Sequence, residues 1–324
     1  MPDLPSDRLG RWMADIQLCN LKQTIENHQS ITINYLNMNT VKLNNGIEMP
    51  ILGYGVYQVS PEECERCVSE AISVGYRLID TAQAYYNEEG VGAAISKSNV
   101  PRSELFLTTK VWITNAGEEK AAASIDESLR KLRTDYIDLL LIHQPFGDYY
   151  GTYRAMEKAL QDGKVRAIGL SNFYPDRFVD LAENVNIKPA VNQLKTNVFS
   201  QQWDAEVEMK KYDTHIMAWA PLTQANEALF NNPVIMNIAE HHGKTAAQVA
   251  LRYLTQRDII AIPKSSHKER MEQNLDIFNF TLSDTEMEAI RPLDEQPDFR
   301  WSHRNPELVR FLLNYDNQFN PKNK

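Results

Sequence analysis

Along the chain, short apolar runs alternate with longer stretches whose apolar residues recur every three or four positions, and this pattern sharpens at Val41. Val41-Lys42-Leu43, the polar turn Asn44-Asn45-Gly46 and Ile47-Glu48-Met49 predict a short β-hairpin. Beyond it, strands are expected at 51–55, 77–80, 105–111, 137–143, 165–171, 190–194, 215–218 and 259–262. Amphipathic stretches such as 121–132, 153–161 and 246–255 separate them, long enough for the right-handed crossovers of a parallel sheet. Eight such units favour an α/β fold, a closed (β/α)8 TIM barrel with the hairpin closing its bottom. An open doubly wound sheet that binds a dinucleotide is disfavoured. Gly53-Tyr54-Gly55 and Gly90-Val91-Gly92 both lack the third glycine of that fingerprint.

Composition narrows the class. A chain of 324 residues accommodates one barrel plus extensions. Residues 1–37 are Asn- and Gln-rich with weak periodicity and are expected to form a poorly ordered extension, leaving 38–324 as one barrel domain with a C-terminal tail. A net charge of −9 with no dense basic stretch argues against a nucleic-acid partner. No apolar run is long enough for a membrane span, since the longest, 137–142, is interrupted by Asp138. The first 30 residues carry Asp3, Asp7 and Asp15 and lack the features of a secretory signal. Three cysteines, Cys19, Cys64 and Cys67, are too few for a disulfide framework, which points to a reducing, cytoplasmic setting. Cys64 and Cys67 have redox-motif spacing but fall in a helix expected after Pro61, without a second pair to complete a zinc site. They read as structural thiols, and no metal is expected.

Barrels place their chemistry at the carboxyl ends of the strands. There the second, third and fourth strands bring Asp80, Lys110 and His143, and Tyr85 follows in the loop after Asp80. A phenol is a poor acid at neutral pH, but a neighbouring ammonium stabilises its anion, so Lys110 is expected to make Tyr85 more acidic. Asp80 would keep that lysine charged, and His143 could orient a carbonyl oxygen. Each residue alone has an ordinary structural use; their joint position at successive strand ends favours a site.

These residues resemble the aldo-keto reductase family from about Met38 to Arg291. The resemblance is carried by Asp80-Thr81-Ala82 with Tyr85 five positions after the aspartate, Thr109-Lys110-Val111-Trp112, and Leu141-Ile142-His143-Gln144-Pro145. It implies an NADPH-dependent reduction of aldehydes or ketones, with Tyr85 as general acid, Lys110 and Asp80 tuning it and His143 orienting the substrate. Tyr86 stands where relatives often have glycine, so the spacing from Asp80 selects Tyr85 over its neighbour.

The resemblance further implies that Ser171, Asn172 and Gln193 hold the nicotinamide amide, and that Trp219 in Trp219-Ala220-Pro221-Leu222 stacks on the ring, with Pro221 and Leu222 beside it. Lys264, Ser265, Arg270 and Asn274 follow the eighth strand, where barrels often bind phosphate. Paired cations suit the 2′-phosphate of NADP(H), although Gln273 replaces a common glutamate. Tyr57 and Trp112 should wall the carbonyl pocket. The few residues between His143 and the helix near Tyr153 suggest a short lid and broad specificity. Small aldehydes, 2-oxoaldehydes such as methylglyoxal, and keto-sugars are candidates, acted on by a monomer or weak homo-oligomer.

Two other functions stay open at this level: a Schiff-base lyase using Lys110, and a non-catalytic NADP(H)-binding redox sensor. Whether the tail from Trp301 to Phe311 covers the pocket or packs on the barrel's flank is likewise open.

Overall fold

Alternation along a strand sends every second side chain to the same face, and in a closed sheet one of those faces is the interior. The computed structural model, which describes residues 39–295 and 302–320, shows such a sheet. The chain divides into a unit Met1–Asn39, of which only Asn39 is described, and a unit Thr40–Lys324 that carries everything below. The expected extension 1–37 lies outside the described residues.

Strands β1 (Thr40–Lys42) and β2 (Glu48–Pro50) pair antiparallel in the predicted hairpin. Eight parallel strands follow: β3 (Gly53–Gly55), β4 (Leu78–Asp80), β5 (Phe106–Val111), β6 (Ile137–Ile142), β7 (Val165–Ser171), β8 (Val191–Lys195), β9 (His215–Trp219) and β10 (Ile260–Ala261). They hydrogen-bond in sequence order. A parallel bridge between Leu52 and Ala261 closes the ring, supported by Ala261 N–H donating to Ile51 O at 2.8 Å and Gly55 N–H to Pro263 O at 3.0 Å. All eight expected strands are present, with several edges moved by one or two residues. Strand β10 is only two residues long because Pro263 has no N–H to extend the ladder, and β9 runs on to include Trp219.

Two apolar cores follow from the parity. Leu78, Phe106, Leu139, Leu141, Ala167, Val191, Met217 and Ile260 fill the barrel interior together with Val41, Leu43 and Met49 of the hairpin. Ile79, Leu107, Leu140, Ile168 and Ile216 point outward into the layer shared with the helices. The hairpin plugs the amino-terminal end of the barrel. Asn45 Nδ2 donates to Arg166 O at 2.9 Å, Asn44 Nδ2 to Pro189 O at 3.1 Å, and His215 Nε2 lies 3.1 Å from Lys42 O.

Helices lie between successive strands, among them Pro61–Val74, Glu118–Leu132, Tyr149–Gln161 and Ala246–Thr255. Ser60 and Thr245 cap the first and last of these, as small polar residues do at helix starts. Asp148 accepts from Gly151 N–H and starts its helix at Tyr149, so the segment after His143 is only Gln144–Asp148 before the helix begins. Cys64 and Cys67 are buried free thiols of helix Pro61–Val74, and burial pushes the Cys64 thiol up to about 12, consistent with an unreactive packing role. No helix among the described residues is long and apolar enough to cross a membrane.

The charge that interrupts the most apolar strand is structural. Asp138 is fully buried between Arg102 (2.7 Å) and Arg166 (2.6 Å) and also accepts from Leu107 N–H at 2.9 Å, tying β6 to β5 and β7. Asp138→Ala is expected to destabilise the protein by about 3 kcal/mol, the lower end of the range for removing one partner of a buried ion pair. Urea unfolding measures this, and an unchanged midpoint would show that the carboxylate contributes nothing.

Candidate active site

The parity that places Leu78, Phe106 and Leu139 inside the barrel also places Asp80, Lys110 and His143 inside, two or four residues further along. Apolar side chains thus fill the lower interior and polar ones its upper rim. Asp80 and Lys110 end up almost without solvent contact. The Lys110 ammonium donates to Asp80 Oδ1 at 2.6 Å, to Thr81 O at 2.8 Å and to Tyr85 Oη at 3.3 Å, so all three of its hydrogens have acceptors. The second oxygen of Asp80 accepts from Gln193 Nε2 at 2.8 Å. Burial raises the Asp80 carboxyl and draws the Lys110 amine down, and each shift is opposed by the partner's charge.

Tyr85 ends a short 3-10 turn, Gln83–Tyr85, and its half-buried ring packs between Tyr57 (centroids 5.0 Å apart) and His143 (5.5 Å). Burial, followed by the charge of Asp80, holds its phenol well above the ordinary value of 10. The expectation of a more acidic phenol is corrected here: even with the ammonium 3.3 Å away, burial and the Asp80 charge hold the hydroxyl protonated. His143 is pushed well below 6.5 by burial and by Lys110, so its imidazole is neutral. His143 Nδ1 and Trp112 Nε1 are both buried without a hydrogen-bond partner among the described residues. Their rings meet edge-on, 5.0 Å apart.

Several positioning residues carry no motif. Gln83 Oε1 accepts from Trp112 N–H (2.9 Å) and Asn115 Nδ2 (2.8 Å), joining the Tyr85 turn to the Trp112 loop. Asn87 Nδ2 donates to Val56 O and Val59 O, and Asn87 Oδ1 accepts from Thr81 Oγ1, which ties the Tyr57 loop to the end of β4. Tyr86 occupies left-handed backbone (φ 57°), a conformation that favours glycine. Its phenol donates to Asp316 Oδ1 at 2.5 Å, and Thr114 Oγ1 donates to Asp316 Oδ2 at 2.8 Å. Beside Asp316, Tyr315 packs edge-on against Trp112 at 5.4 Å. The described part of the tail therefore reaches Trp112 and Tyr86, while within the segment singled out from the sequence His303 packs against Phe146 and Tyr174 and Trp301 lies outside the described residues. Tyr315 and Asp316 themselves lie beyond that segment.

On the other side of the rim, Asn172 sits in left-handed backbone (φ 65°). Its Nδ2 donates to His143 O and to Ser171 Oγ, both at 3.1 Å, and its Oδ1 accepts from Trp219 Nε1 at 3.0 Å. That last bond fixes the plane of the half-buried indole. Gln193 lies in the middle of β8 rather than at its end, and its Nε2 donates to Asp80 Oδ2. Pro221 is buried and Leu222 half-buried. After them, Thr223, Gln224 and Ala225 all adopt left-handed backbone, which costs about 1–2 kcal/mol per residue; such strain concentrates at ligand clamps.

Beyond β10, Lys264 and Arg270 are exposed, and neither makes a hydrogen bond or ion pair among the described residues. Ser265 differs from expectation. Its hydroxyl donates to His267 O and accepts from His267 N–H, forming a local turn, while its carbonyl accepts from Tyr54 Oη at 2.5 Å. Helix Lys268–Leu275 starts without a side chain capping its amides, and Asn274 is buried near its end.

Comparison with known proteins shows what the chain as a whole is similar to. The chain is 45% identical to the glyoxal reductase of Bacillus subtilis over 79% of its length and 93% of that protein. It is 43% identical to the morphine 6-dehydrogenase of Pseudomonas putida over 78% of its length and 90% of that protein. The crystal structure of a Bombyx mori aldo-keto reductase in complex with NADP superposes with a TM-score of 0.77 at 32% identity, covering 83% of this chain and 98% of that one. Residues 51–295 match the model of the aldo/keto reductase family. On this match, the identity to these relatives and the shared barrel, the chain belongs to the aldo/keto reductase family.

Proposed function

We propose that the protein is an NADP(H)-dependent reductase of aldehydes or ketones in which Tyr85 protonates the carbonyl oxygen. The observation that carries this reading is the Tyr85 hydroxyl 3.3 Å from the Lys110 ammonium, which is itself paired with Asp80 at 2.6 Å. A phenol kept protonated by burial is a proton donor at neutral pH. A cation already in place then receives the phenolate left behind, so its stabilisation needs no later rearrangement. His143 Nδ1 and Trp112 Nε1 have no hydrogen-bond partner among the described residues, which suits them to hold polar atoms of the substrate near Tyr85. Bound NADPH would supply the hydride, so that carbonyl, hydride and the Tyr85 proton together give the alcohol. A solvent proton restores the phenol.

The residues fit that cofactor. A half-open Trp219 ring fixed by Asn172 offers a surface for the nicotinamide, and the Ser171–Asn172 pair offers polar groups beside it. Lys264, Arg270 and the uncapped start of helix Lys268–Leu275 offer charge and amides to a 2′-phosphate. The relative crystallised with NADP supports the same choice. Gln193 acts in this reading by anchoring Asp80 through Nε2, while its Oε1 remains to accept from the cofactor's amide. The aromatic walls, the short 144–148 segment and the tail at Trp112 favour compact substrates. Together with the glyoxal reductase relative, they support small aldehydes and 2-oxoaldehydes. The Schiff-base alternative is disfavoured because every hydrogen of the Lys110 ammonium is engaged. A purely sensing role leaves the complete Tyr85 constellation without use.

NADPH oxidation followed against a panel of aldehydes, ketones and keto-sugars tests the reading directly. Tyr85→Phe is expected to lower kcat about 10²- to 10⁴-fold while leaving the NADPH dissociation constant nearly unchanged; wild-type turnover in that variant would remove the acid assignment. Lys264→Ala combined with Arg270→Ala should weaken NADPH binding far more than NADH binding in fluorescence titrations. Equal losses would argue against a phosphate grip. With the Tyr85 pKa raised and the His143 pKa lowered, neither group titrates near neutrality. The pH profile of kcat/KM for reduction should therefore be level from about pH 6 to pH 8, and a step near 6.5 would show that His143 ionises.

A further inference from the structure

We propose that His241, His242 and Glu286 form a site for one divalent transition-metal ion, with Zn²⁺ as its natural probe. The site would staple the end of helix Pro233–His242 to the start of helix Asp284–Ile290. It makes no use of the barrel rim or of the residues assigned to carbonyl reduction.

Two imidazole nitrogens on consecutive residues converge on one carboxylate oxygen. His241 Nδ1 and His242 Nε2 each lie 2.9 Å from Glu286 Oε1. The use of opposite ring nitrogens lets adjacent side chains reach the same point. One ligand atom from each of the three residues lies within 4.8 Å of the others. Zinc bonds of about 2.0–2.2 Å at tetrahedral angles separate ligand atoms by roughly 3.4 Å, so on binding each Glu286 contact opens by about 0.5 Å and the two imidazole nitrogens close together by up to about 1.4 Å, a movement the exposed His241 side chain supplies.

Two of the three ligands are already held. Glu286 Oε2 accepts from Ser283 N–H at 2.7 Å and Ser283 Oγ at 2.9 Å in a capping box, leaving Oε1 for the cluster. The His242 ring packs on Phe280 at 5.2 Å, and its side chain is 17% exposed. Outer support of this kind fixes ligand direction in built sites. His241 is 74% exposed and closes the site from solvent, leaving room for water in the fourth position. Nearby, Lys244 is neutralised by Asp276 at 2.6 Å. Two imidazoles and one carboxylate suit zinc, cobalt or nickel, whereas magnesium and calcium prefer all-oxygen sets.

Isothermal titration of untagged, EDTA-treated full-length protein with ZnCl₂ tests the site. The expected result is one Zn²⁺ per chain, abolished in His241→Ala/His242→Ala. Affinity should fall at least tenfold in His241→Ala, whose exposed side chain leaves folding undisturbed, and in Glu286→Gln, which retains the capping geometry. Zn²⁺ should raise the Tm of the wild type but not of the double variant, because a ligand bound only by the folded state stabilises it. Carbonyl reduction should be unchanged in all three. Absence of binding at about 100 µM Zn²⁺, or unchanged stoichiometry and affinity in His241→Ala and the double variant, would overturn the proposal and leave the cluster as a hydrogen-bonded helix contact.

Discussion

The Asp80–Lys110 pair is the constraint around which the site is arranged. An ammonium and a carboxylate buried almost completely inside a barrel are tolerated only when both are paired and their remaining hydrogen-bonding capacity is filled. Each filling partner comes from a different part of the rim. Thr81 O and Tyr85 Oη complete the lysine, and Gln193 from β8 completes the aspartate. Satisfying this one ion pair therefore draws together β4, β5, β8 and the loop that carries Tyr85. The same pair supplies a fixed positive charge beside a phenol, so one arrangement meets both the structural and the electrostatic requirement.

Much of this was legible in the chain because strand parity is a strict rule. Once the apolar runs at 77–80, 105–111 and 137–143 are strands, Asp80 must share a face with Leu78, Lys110 with Phe106, and His143 with Leu139 and Leu141. Asp138 has the opposite parity to Leu139 and Leu141. Its fate as a buried clamp between Arg102 and Arg166 lies in the same rule, although the sequence alone does not reveal which cations reach it. Strand edges were less certain for a local reason. A proline following β10 removes a donor, and a tryptophan at the end of β9 fits a pleated surface as readily as a loop.

What was not legible depends on distance in the chain or on a balance of opposing effects. The Gln83, Asn87 and Gln193 contacts link loops up to 113 residues apart, and amide side chains carry no pattern that announces such a partner. Tyr315 and Asp316 reach Trp112, Tyr86 and Thr114 from more than 190 residues away in sequence. The acidity of Tyr85 was misjudged because the sequence names the ammonium but not the degree of burial. Desolvation and a nearby cation act in opposite directions on a phenol, and here burial, followed by the Asp80 charge, holds it high.

That balance changes how the rim is to be understood. A phenol ionised in advance would have no proton to donate, whereas one held neutral beside a charged lysine donates only when a stronger base develops next to it. In the proposed reduction a carbonyl oxygen gaining negative charge is such a base, and the neutral His143 and the Trp112 indole, whose Nε1 has no partner among the described residues, direct it without competing for the proton. In the proposed reading, burial serves as the timing element and Lys110 as the receiver of charge. A site with the same four residues on an open surface would lose the first of these functions even with every distance preserved.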